Sequence, residues 1–317
     1  MDRPRRLACF SAWALAWLLL IPQLTPANDW LIAVKSLEAE PYELALQGFK
    51  AALRKRGYEG DIQESIIRAG GEGRLLSEIR ERRPSLILTL GSAATAAIHG
   101  QVKDVPVVFC MVLNPVASGF VHSMQSSGNN VTGASLDIPV GLQFETLKAV
   151  VPSIKKVGVL YNPQETEAVV RPAAKVAADV GLELIAIPVS AVEKLQETLD
   201  QQRRKIDALW SVADSTVFSS DRSIEVLLRR TLEYRIPFMG LSPAFVKAGA
   251  LLALAVNYPD VGAQCGEQAA QVLAGRPPAS LPITAPRRVT LYLNLNVARA
   301  IGVAIPPQTL EGAVVLR

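Results

Sequence analysis

Short polar side chains follow the apolar runs of this chain, at places where they could hold a small molecule. Ser92 follows the apolar run Leu86–Leu90, and Asp214 follows the apolar run Ala208–Val212 in the same way. In doubly wound α/β sheets, ligands bind beyond the carboxyl ends of the strands, where helix-opening amides attract anions. The expected chemistry is therefore reversible binding through hydrogen bonds and charge. Ten candidate ligand-binding residues lie at or near the predicted strand ends: Tyr42, Ser92, Asn114, Asn162, Glu165, Glu167, Asp214, Ser215, Ser242 and Asn257.

Ser92 and Asp214 each have two possible roles. The Ser92 hydroxyl could hold a ligand oxygen or cap the helix that it opens. Asp214 could accept a hydrogen bond from a ligand or cap a helix. If Asp214 is a binding residue, Asp214→Ala abolishes binding and leaves the melting temperature of the ligand-free protein within a few degrees.

Four other candidates also have two possible roles. Asn114 could contact a ligand or form a turn before proline. Glu165 and Glu167 could face a cationic ligand group or form a solvated first helical turn. Tyr42 could stack on a ligand or cover a helix end. Asn257 follows an apolar run at a crossing between domains, which makes it a cleft candidate.

Catalytic motifs are not found in this sequence. His99 and His122 lack a nucleophile and an acid partner at any recognisable spacing. GxSxG, Walker A and HExxH patterns are absent, and the cysteines have no metal-binding spacing. We therefore expect a binding protein without enzymatic activity, cofactor or metal.

The body of the chain contains the same series of elements twice. An apolar run, a polar loop and a helical stretch recur at an offset on the order of 120–130 residues, which is far longer than a solenoid repeat. Alternating strands and helices indicate βαβ units. The sequence therefore predicts an α/β protein of two similar doubly wound parallel-sheet lobes, with a ligand cleft between them. The matched runs are Ile32–Val34 with Val157–Leu160, Leu86–Leu90 with Ala208–Val212, and Val105–Phe109 with Ile236–Met239.

Several elements can be assigned individually. Apolar spacing predicts helices over residues 42–57, 75–83, 92–99, 140–150 and 261–273. Residues 116–135 show no periodicity and contain Ser126–Asn130, so we expect a loop there.

The N-terminus resembles a signal peptide, residues 1–27. Three arginines precede the apolar stretch Leu7–Ile21, and Thr25–Ala27 offers a small-residue cleavage site. An uncleaved anchor is the alternative. Cleavage lowers the formal net charge from +4 to +2. The sequence has no basic stripe with interleaved aromatic residues, so we do not expect nucleic acid as a partner. We expect export to the periplasm, where Cys110 and Cys265 could pair or remain two buried thiols.

Six segments of the chain share a pattern with one family: Gly119–Val121, Gly128–Gly133, Lys155–Asn162, Val246–Leu251, Gly262–Gly275 and Leu295–Pro307. Together they resemble the ABC-transporter substrate-binding protein family that includes tryptophan and tyrosine binders. The similarity covers about residues 30–312. It implies a type 1 periplasmic-binding-protein fold whose lobes are joined by three crossover strands.

The resemblance also implies how the chain is divided. Residues 28–136 form lobe 1, completed by about 258–290, and residues 137–257 form lobe 2, completed by about 291–317. The ligand loops of the family fall on Ser92, Asn114, 162–167, Asp214 with Ser215, Leu241 with Ser242, and Asn257.

Three of these places depart from the amino-acid binders of the family. Those proteins often carry an acidic residue where Asn114, Leu241–Ser242 and Asn257 stand here. An α-ammonium group needs acceptors, preferably charged ones. Asp214, Glu165 and Glu167 could replace the missing acids; otherwise the ligand lacks an ammonium group or the cleft no longer binds.

The function that the resemblance implies is capture of an amino acid or another small carboxylate for an ABC importer. The expected partners are a permease and an ATPase, with the protein itself monomeric. The alternative is a sensory module that signals to a membrane kinase or cyclase. An enzyme on this scaffold would need converging polar groups that the sequence does not reveal.

Overall fold

The computed structural model describes residues 30–68 and 70–317. The predicted signal peptide, residues 1–27, lies outside this range. Among the described residues, no helix combines the length and the apolar character needed to cross a membrane.

The first sheet is wholly parallel and takes the strand order β2-β1-β3-β4-β5. Its inner strands are continuous apolar runs because helices cover both faces of the sheet. The elements are β1 (Trp30–Lys35), α1 (Glu40–Lys55), β2 (Asp61–Ile66), α2 (Glu72–Arg82), β3 (Leu86–Leu90), α3 (Ser92–Ile98), β4 (Val107–Val112) and β5 (Val131–Ser135).

The second sheet takes the order β12-β11-β10-β9-β8-β6-β7, in which only the β10–β11 pair is antiparallel among the described strands. The elements are α4 (Val140–Val150), β6 (Lys156–Tyr161), α5 (Pro163–Asp179), β7 (Glu183–Pro188), α6 (Leu195–Gln202), β8 (Ala208–Trp210), α7 (Asp221–Glu233), β9 (Phe238–Gly240), α8 (Pro243–Ala248), β10 (Leu252–Val256), α9 (Tyr258–Leu273), β11 (Val289–Asn294), α10 (Leu295–Ile301) and β12 (Val314–Leu316). Short 3₁₀ turns cover Val192–Lys194, Pro278–Ser280 and Pro307–Leu310.

Within residues 70–317 the chain passes between the two sheets three times. It crosses after β5, crosses back between β10 and α9, and crosses again before β11. Helix α9 packs on α1, β4 and β5, so it belongs with the first sheet although it follows the second. Thr284 then forms an isolated bridge with Ala134 before the last crossing. The predicted architecture of two doubly wound α/β lobes is confirmed.

The prediction of a loop across residues 116–135 was wrong in its last part. Val131–Ser135 form the edge strand β5, which pairs in parallel with β4 and is buried throughout. The strand was missed because Thr132, Gly133 and Ser135 interrupt the apolar pattern. A Cβ on Gly133 would lie 2.2 Å from the Phe109 carbonyl oxygen, so close strand pairing requires glycine.

A disulfide joins Cys110 on β4 to Cys265 on α9. Both cysteines are fully buried. The alternative of two free thiols is therefore wrong in this structure. The bridge ties the crossing helix α9 to the first sheet over a sequence separation of 155 residues, and such a bond is expected in an oxidising compartment.

Helices α1 and α9 touch through their backbones. Cβ atoms built on Gly48 and Gly262 would lie 1.9 Å from the Pro259 carbonyl oxygen and 1.8 Å from that of Ala45. A Cβ built on Gly266 would likewise lie 2.6 Å from the Phe49 carbonyl oxygen. Only glycine permits this approach, which holds α9 firmly against lobe 1.

Candidate functional site

A cavity of about 350 Å³ lies between the two sheets. Its volume falls within the range of small-molecule sites. Most of its wall is apolar, and Asp137 is the one charged side chain among the described residues that line it. The lining residues are Leu113, Asn114, Leu136, Asp137, Ile138, Val140, Gln143, Thr166, Val169, Trp210, Ser211, Val212, Ala213, Met239, Gly240, Leu241 and Leu254.

A β-bulge in β4 directs the chain toward this cavity. The register runs from Phe109 opposite Gly133 to Val112 opposite Ser135, which leaves one extra residue on β4. Met111 lies within the bulge and has a left-handed backbone conformation, with a φ of 61°. Bulges of this kind commonly re-aim side chains next to functional sites. Here the bulge immediately precedes Asn114, which is itself left-handed with a φ of 49°.

Asp137 is held at the crossing after β5 by two neighbours. Its Oδ2 accepts hydrogen bonds from the Ser135 hydroxyl at 2.7 Å and the Asn114 N–H at 2.9 Å, and its Oδ1 accepts the longer branch from Asn114 at 3.1 Å. Burial raises the pKa of the Asp137 carboxyl above its ordinary value, although the two hydrogen bonds act in the opposite direction. The carboxylate is thus fixed in place and only partly solvated.

Trp210 and Gln143 form one wall of the cavity. The indole Nε1 of Trp210 donates to Oε1 of Gln143 at 2.7 Å, and Nε2 of Gln143 donates to the Ile138 carbonyl at 2.8 Å. Because an indole N–H can only donate, it determines which end of the Gln143 amide faces it. Phe144 packs edge-on against Trp210, with ring centroids 4.9 Å apart.

The two hydroxyl groups in the cavity wall have both donated their hydrogen. Ser211 Oγ donates to the Met239 carbonyl at 2.7 Å. Thr166 Oγ1 donates to Asp214 Oδ2 at 2.7 Å. A hydroxyl has one hydrogen to donate, so each retains only lone pairs for other partners.

Asp214 is buried, with 2 % of its surface exposed. Its Oδ2 accepts from the Asn162 N–H and from Thr166, and its Oδ1 accepts from the N–H groups of Thr216 and Val217. The structure therefore places Asp214 as an anchor of the loop after β8 and of the start of α5. It does not line the cavity with Asn114.

Neighbouring candidates of the second lobe join the same network. Asn162 caps α5 by accepting from the Gln164 N–H at 3.0 Å, and it donates to Thr216 at 2.9 Å. Glu165 accepts from the N–H and the hydroxyl of Ser215 at 2.7 and 2.8 Å.

Glu167 lies beside Tyr161 at the end of β6. Burial and a hydrogen bond with the Glu167 carboxylate together raise the pKa of Tyr161. Asp214, Glu165 and Glu167 thus all have partners within the protein. These are the three acids that were predicted to replace the acidic residues found in the amino-acid binders of the family.

Ser92 follows β3 through Gly91, and the side chain of Tyr42, from the first turn of α1, lies against Gly91. Gly91 caps α3 with a φ of 93°, and Ser92 is the first helical residue, so the prediction of a serine cap is wrong. The hydroxyl of Ser36 accepts from the Ala94 N–H at 2.9 Å instead. A Cβ on Gly91 would lie 2.7 Å from the Tyr42 Oη, which shows that the tyrosine covers this turn. Burial raises the pKa of Tyr42.

Neither Ser242 nor Asn257 lines the cavity. Ser242 precedes α8 and makes no side-chain capping bond. Asn257 caps α9 by accepting from the Asp260 N–H at 2.9 Å, and it lines a separate groove between α1 and α9. The structure brings only Asn114, of the ten candidates, into the cavity wall.

Three lining residues were not predicted from the sequence: Asp137, Gln143 and Trp210. Asp137 follows a buried strand by two residues and so obeys the strand-end rule, but β5 itself was not recognised. Gln143 and Trp210 lie within a helix and a strand, where the sequence offers no signal for a ligand wall. Among the described residues, no group of acidic, histidine or cysteine side chains is arranged to hold a metal.

Comparisons with known proteins agree with this architecture. A protein from Clostridioides difficile (strain R20291) described as a tyrosine-binding protein is 25% identical over 279 residues, covering 85% of this chain and 80% of that protein. A substrate-binding protein with adhesive properties from Clostridium difficile, in a ligand-free, open structure, has a TM-score of 0.76 at 24% identity, covering 91% of this chain and 99% of that one.

A third similar protein is the ABC domain from Streptococcus pneumonia in complex with L-Trp. It has a TM-score of 0.67 at 23% identity and covers 92% of this chain and 100% of that one. The family model described as ABC transporter substrate binding protein matches residues 32–315. The predicted family and fold are confirmed: this chain belongs to the ABC transporter substrate-binding proteins.

Proposed function

We propose that this protein is an exported solute-binding protein that captures an amino acid with a large apolar side chain and delivers it to an ABC importer. The observation that carries the proposal is the cavity between the two sheets, whose apolar wall surrounds one carboxylate, Asp137. Family membership supports transport over the sensory alternative. The partners are a permease and an ATPase, and the protein works as a monomer.

The character of the wall favours this ligand class over other small carboxylates. Trp210, Met239 and Leu254 supply apolar surface for a large side chain. Similar proteins are described as binding tyrosine and L-Trp. Tryptophan, tyrosine and phenylalanine are therefore the first ligands to test.

The proposed mechanism is closure of two bodies around the ligand. Residues 28–136 with about 258–290 form one body, and residues 137–257 with about 291–317 form the other. A ligand that contacts both walls stabilises the closed state, which the permease recognises. The chain catalyses no reaction, and residues 1–27 direct it to the periplasm.

A thermal-shift screen of the purified protein tests the proposal, using the twenty L-amino acids and a set of small carboxylates. A ligand at a hundred times its Kd adds about 2.7 kcal/mol of stability, which is a shift of several degrees. We expect the aromatic amino acids to raise the melting temperature and native mass spectrometry to show a 1:1 complex. No shift with any amino acid would contradict the proposal.

A further inference from the structure

The polar groups in the cavity wall are mainly hydrogen-bond acceptors. Asp137 offers carboxylate lone pairs, since among the described residues its Oδ1 receives only the longer branch of the Asn114 bond. Ser211 and Thr166 have donated their hydrogens to Met239 and Asp214, so their oxygens can only accept.

Donors are few and uncharged in the same wall. No lysine, arginine or histidine of the described chain lines the cavity. The remaining side-chain donors are the amide of Asn114 and one N–H of Gln143, whose other polar contacts are to Trp210 and Ile138. A ligand carboxylate is acceptor-only and would find no charged partner here.

The surrounding strand-end loops have the same sign of charge. The strand-end segments that contribute lining residues, 113–119, 136–140, 162–167, 211–220 and 241–243, contain no lysine or arginine. They contain Asp137, Glu165, Glu167 and Asp214. A cleft lined by one sign of charge raises the local concentration of the opposite sign.

We propose that the cavity recognises its ligand through a protonated amine bound to Asp137 and through an apolar body, and that the ligand carboxylate adds little. This inference rests on the proposed function and narrows its ligand class. An amine that lacks the carboxylate is then a ligand, whereas an acid that lacks the amine is not.

Three compounds with the same indole body separate these groups: L-tryptophan, tryptamine and indole-3-propionate. In isothermal titration calorimetry, we expect tryptamine to bind within about tenfold of tryptophan and indole-3-propionate to bind at least about a hundredfold more weakly. Binding of indole-3-propionate as tightly as tryptamine, or of tryptophan without tryptamine, would overturn the inference and leave the proposed function standing.

Asp137→Asn tests the named residue because the two side chains have nearly the same shape. We expect both amines to bind at least about tenfold more weakly to this variant. Asp179→Asn makes the same charge change at the exposed far end of α5 and is expected to change nothing. Unchanged binding in a folded Asp137→Asn protein would overturn the assignment.

If another amino acid of the screen binds in place of tryptophan, its own amine and acid analogues decide the question in the same way. If no amino acid binds, the proposed function fails and this inference fails with it.

Discussion

The backbone N–H of Asn114 donates to both carboxylate oxygens of Asp137, at 2.9 and 3.1 Å. The bond connects the loop after β4 with the crossing after β5, and Asn114 makes it from a left-handed backbone conformation with a φ of 49°. The backbone of residue 114, rather than its side chain, therefore positions the carboxylate in the cavity.

Substitutions of Asn114 distinguish the contribution of its backbone to stability from that of its side chain. Asn114→Gly retains the N–H and adopts positive φ freely, so the free energy of unfolding should stay within about 0.5 kcal/mol of the wild type. Asn114→Val should lower it by about 1–2 kcal/mol, because left-handed conformation is costly for a branched side chain. Urea denaturation measures both values, and a valine variant as stable as the glycine variant would contradict this account.

Asp214→Ala should destabilise the ligand-free protein. The change removes a buried carboxylate that accepts from Asn162, Thr166, Thr216 and Val217, and it leaves their donors without this partner. We expect a loss of about 3 kcal/mol or more in the free energy of unfolding. If Asp214 were instead a ligand-binding residue, as proposed from the sequence, the melting temperature would be almost unchanged. Differential scanning calorimetry of the ligand-free variant distinguishes the two, and a melting temperature within two or three degrees of wild type would favour the earlier expectation.

Gly262→Ala should disrupt the packing of α9 on α1. The new Cβ would lie 1.8 Å from the Ala45 carbonyl oxygen, so the two helices must separate. Overpacking of this kind costs about 1–3 kcal/mol or more. Gly73→Ala is the matched control, because its Cβ meets nothing within 4 Å in helix α2 and alanine favours the helix. Equal melting temperatures for the two variants would argue against the close helix contact.

A buried lysine makes part of the stability pH-dependent. Lys35, 6 % exposed, pairs with Glu43 at 2.6 Å and Glu64 at 3.0 Å, and Lys50 pairs with Glu64 at 2.6 Å. Burial alone would lower the pKa of Lys35, but hydrogen bonds and charge from the two glutamates raise it overall. Burial alone would raise the pKa of Glu64, but the two lysines lower it overall.

The signs of these shifts define the pH range. Glu64 has a lowered pKa in the folded state, so its contribution is present above the ordinary value of 4.5 and is lost as the pH falls below it. Lys35 has a raised pKa, so its contribution is present below 10.5 and is lost above that pH. Glu64→Gln should lower the free energy of unfolding by about 1 kcal/mol at pH 7 and by less at pH 3.5. The exposed Glu81→Gln is the control, and an equal loss for Glu64→Gln at both pH values would contradict the assignment.

The long buried strands could be predicted because helices cover both sheet faces, which makes Leu86–Leu90 and Val157–Leu160 continuous apolar runs. The family could be recognised from the combination of short segments. Strand β5 could not, since its small residues fit a close approach to β4 that only the tertiary structure reveals. Asp137 was not predicted as a site residue because the strand that precedes it was not recognised.

The roles of polar residues depended on contacts distant in sequence. Asp214 and Glu165 have the side chains expected of ligand acceptors, but Thr166 and Ser215 occupy them through bonds that span about fifty residues. Strand-end position predicts where polar groups gather. It does not predict which of them remain open to a ligand.

A crystal structure of the protein with bound L-tryptophan tests the central claim most directly. The account predicts electron density between the two sheets, with the indole ring against the apolar wall near Trp210 and the ammonium nitrogen about 3 Å from Asp137. Tryptophan bound in the groove beside Asn257, or an ammonium group held by Asp214 or Glu165 with Asp137 left aside, would contradict it.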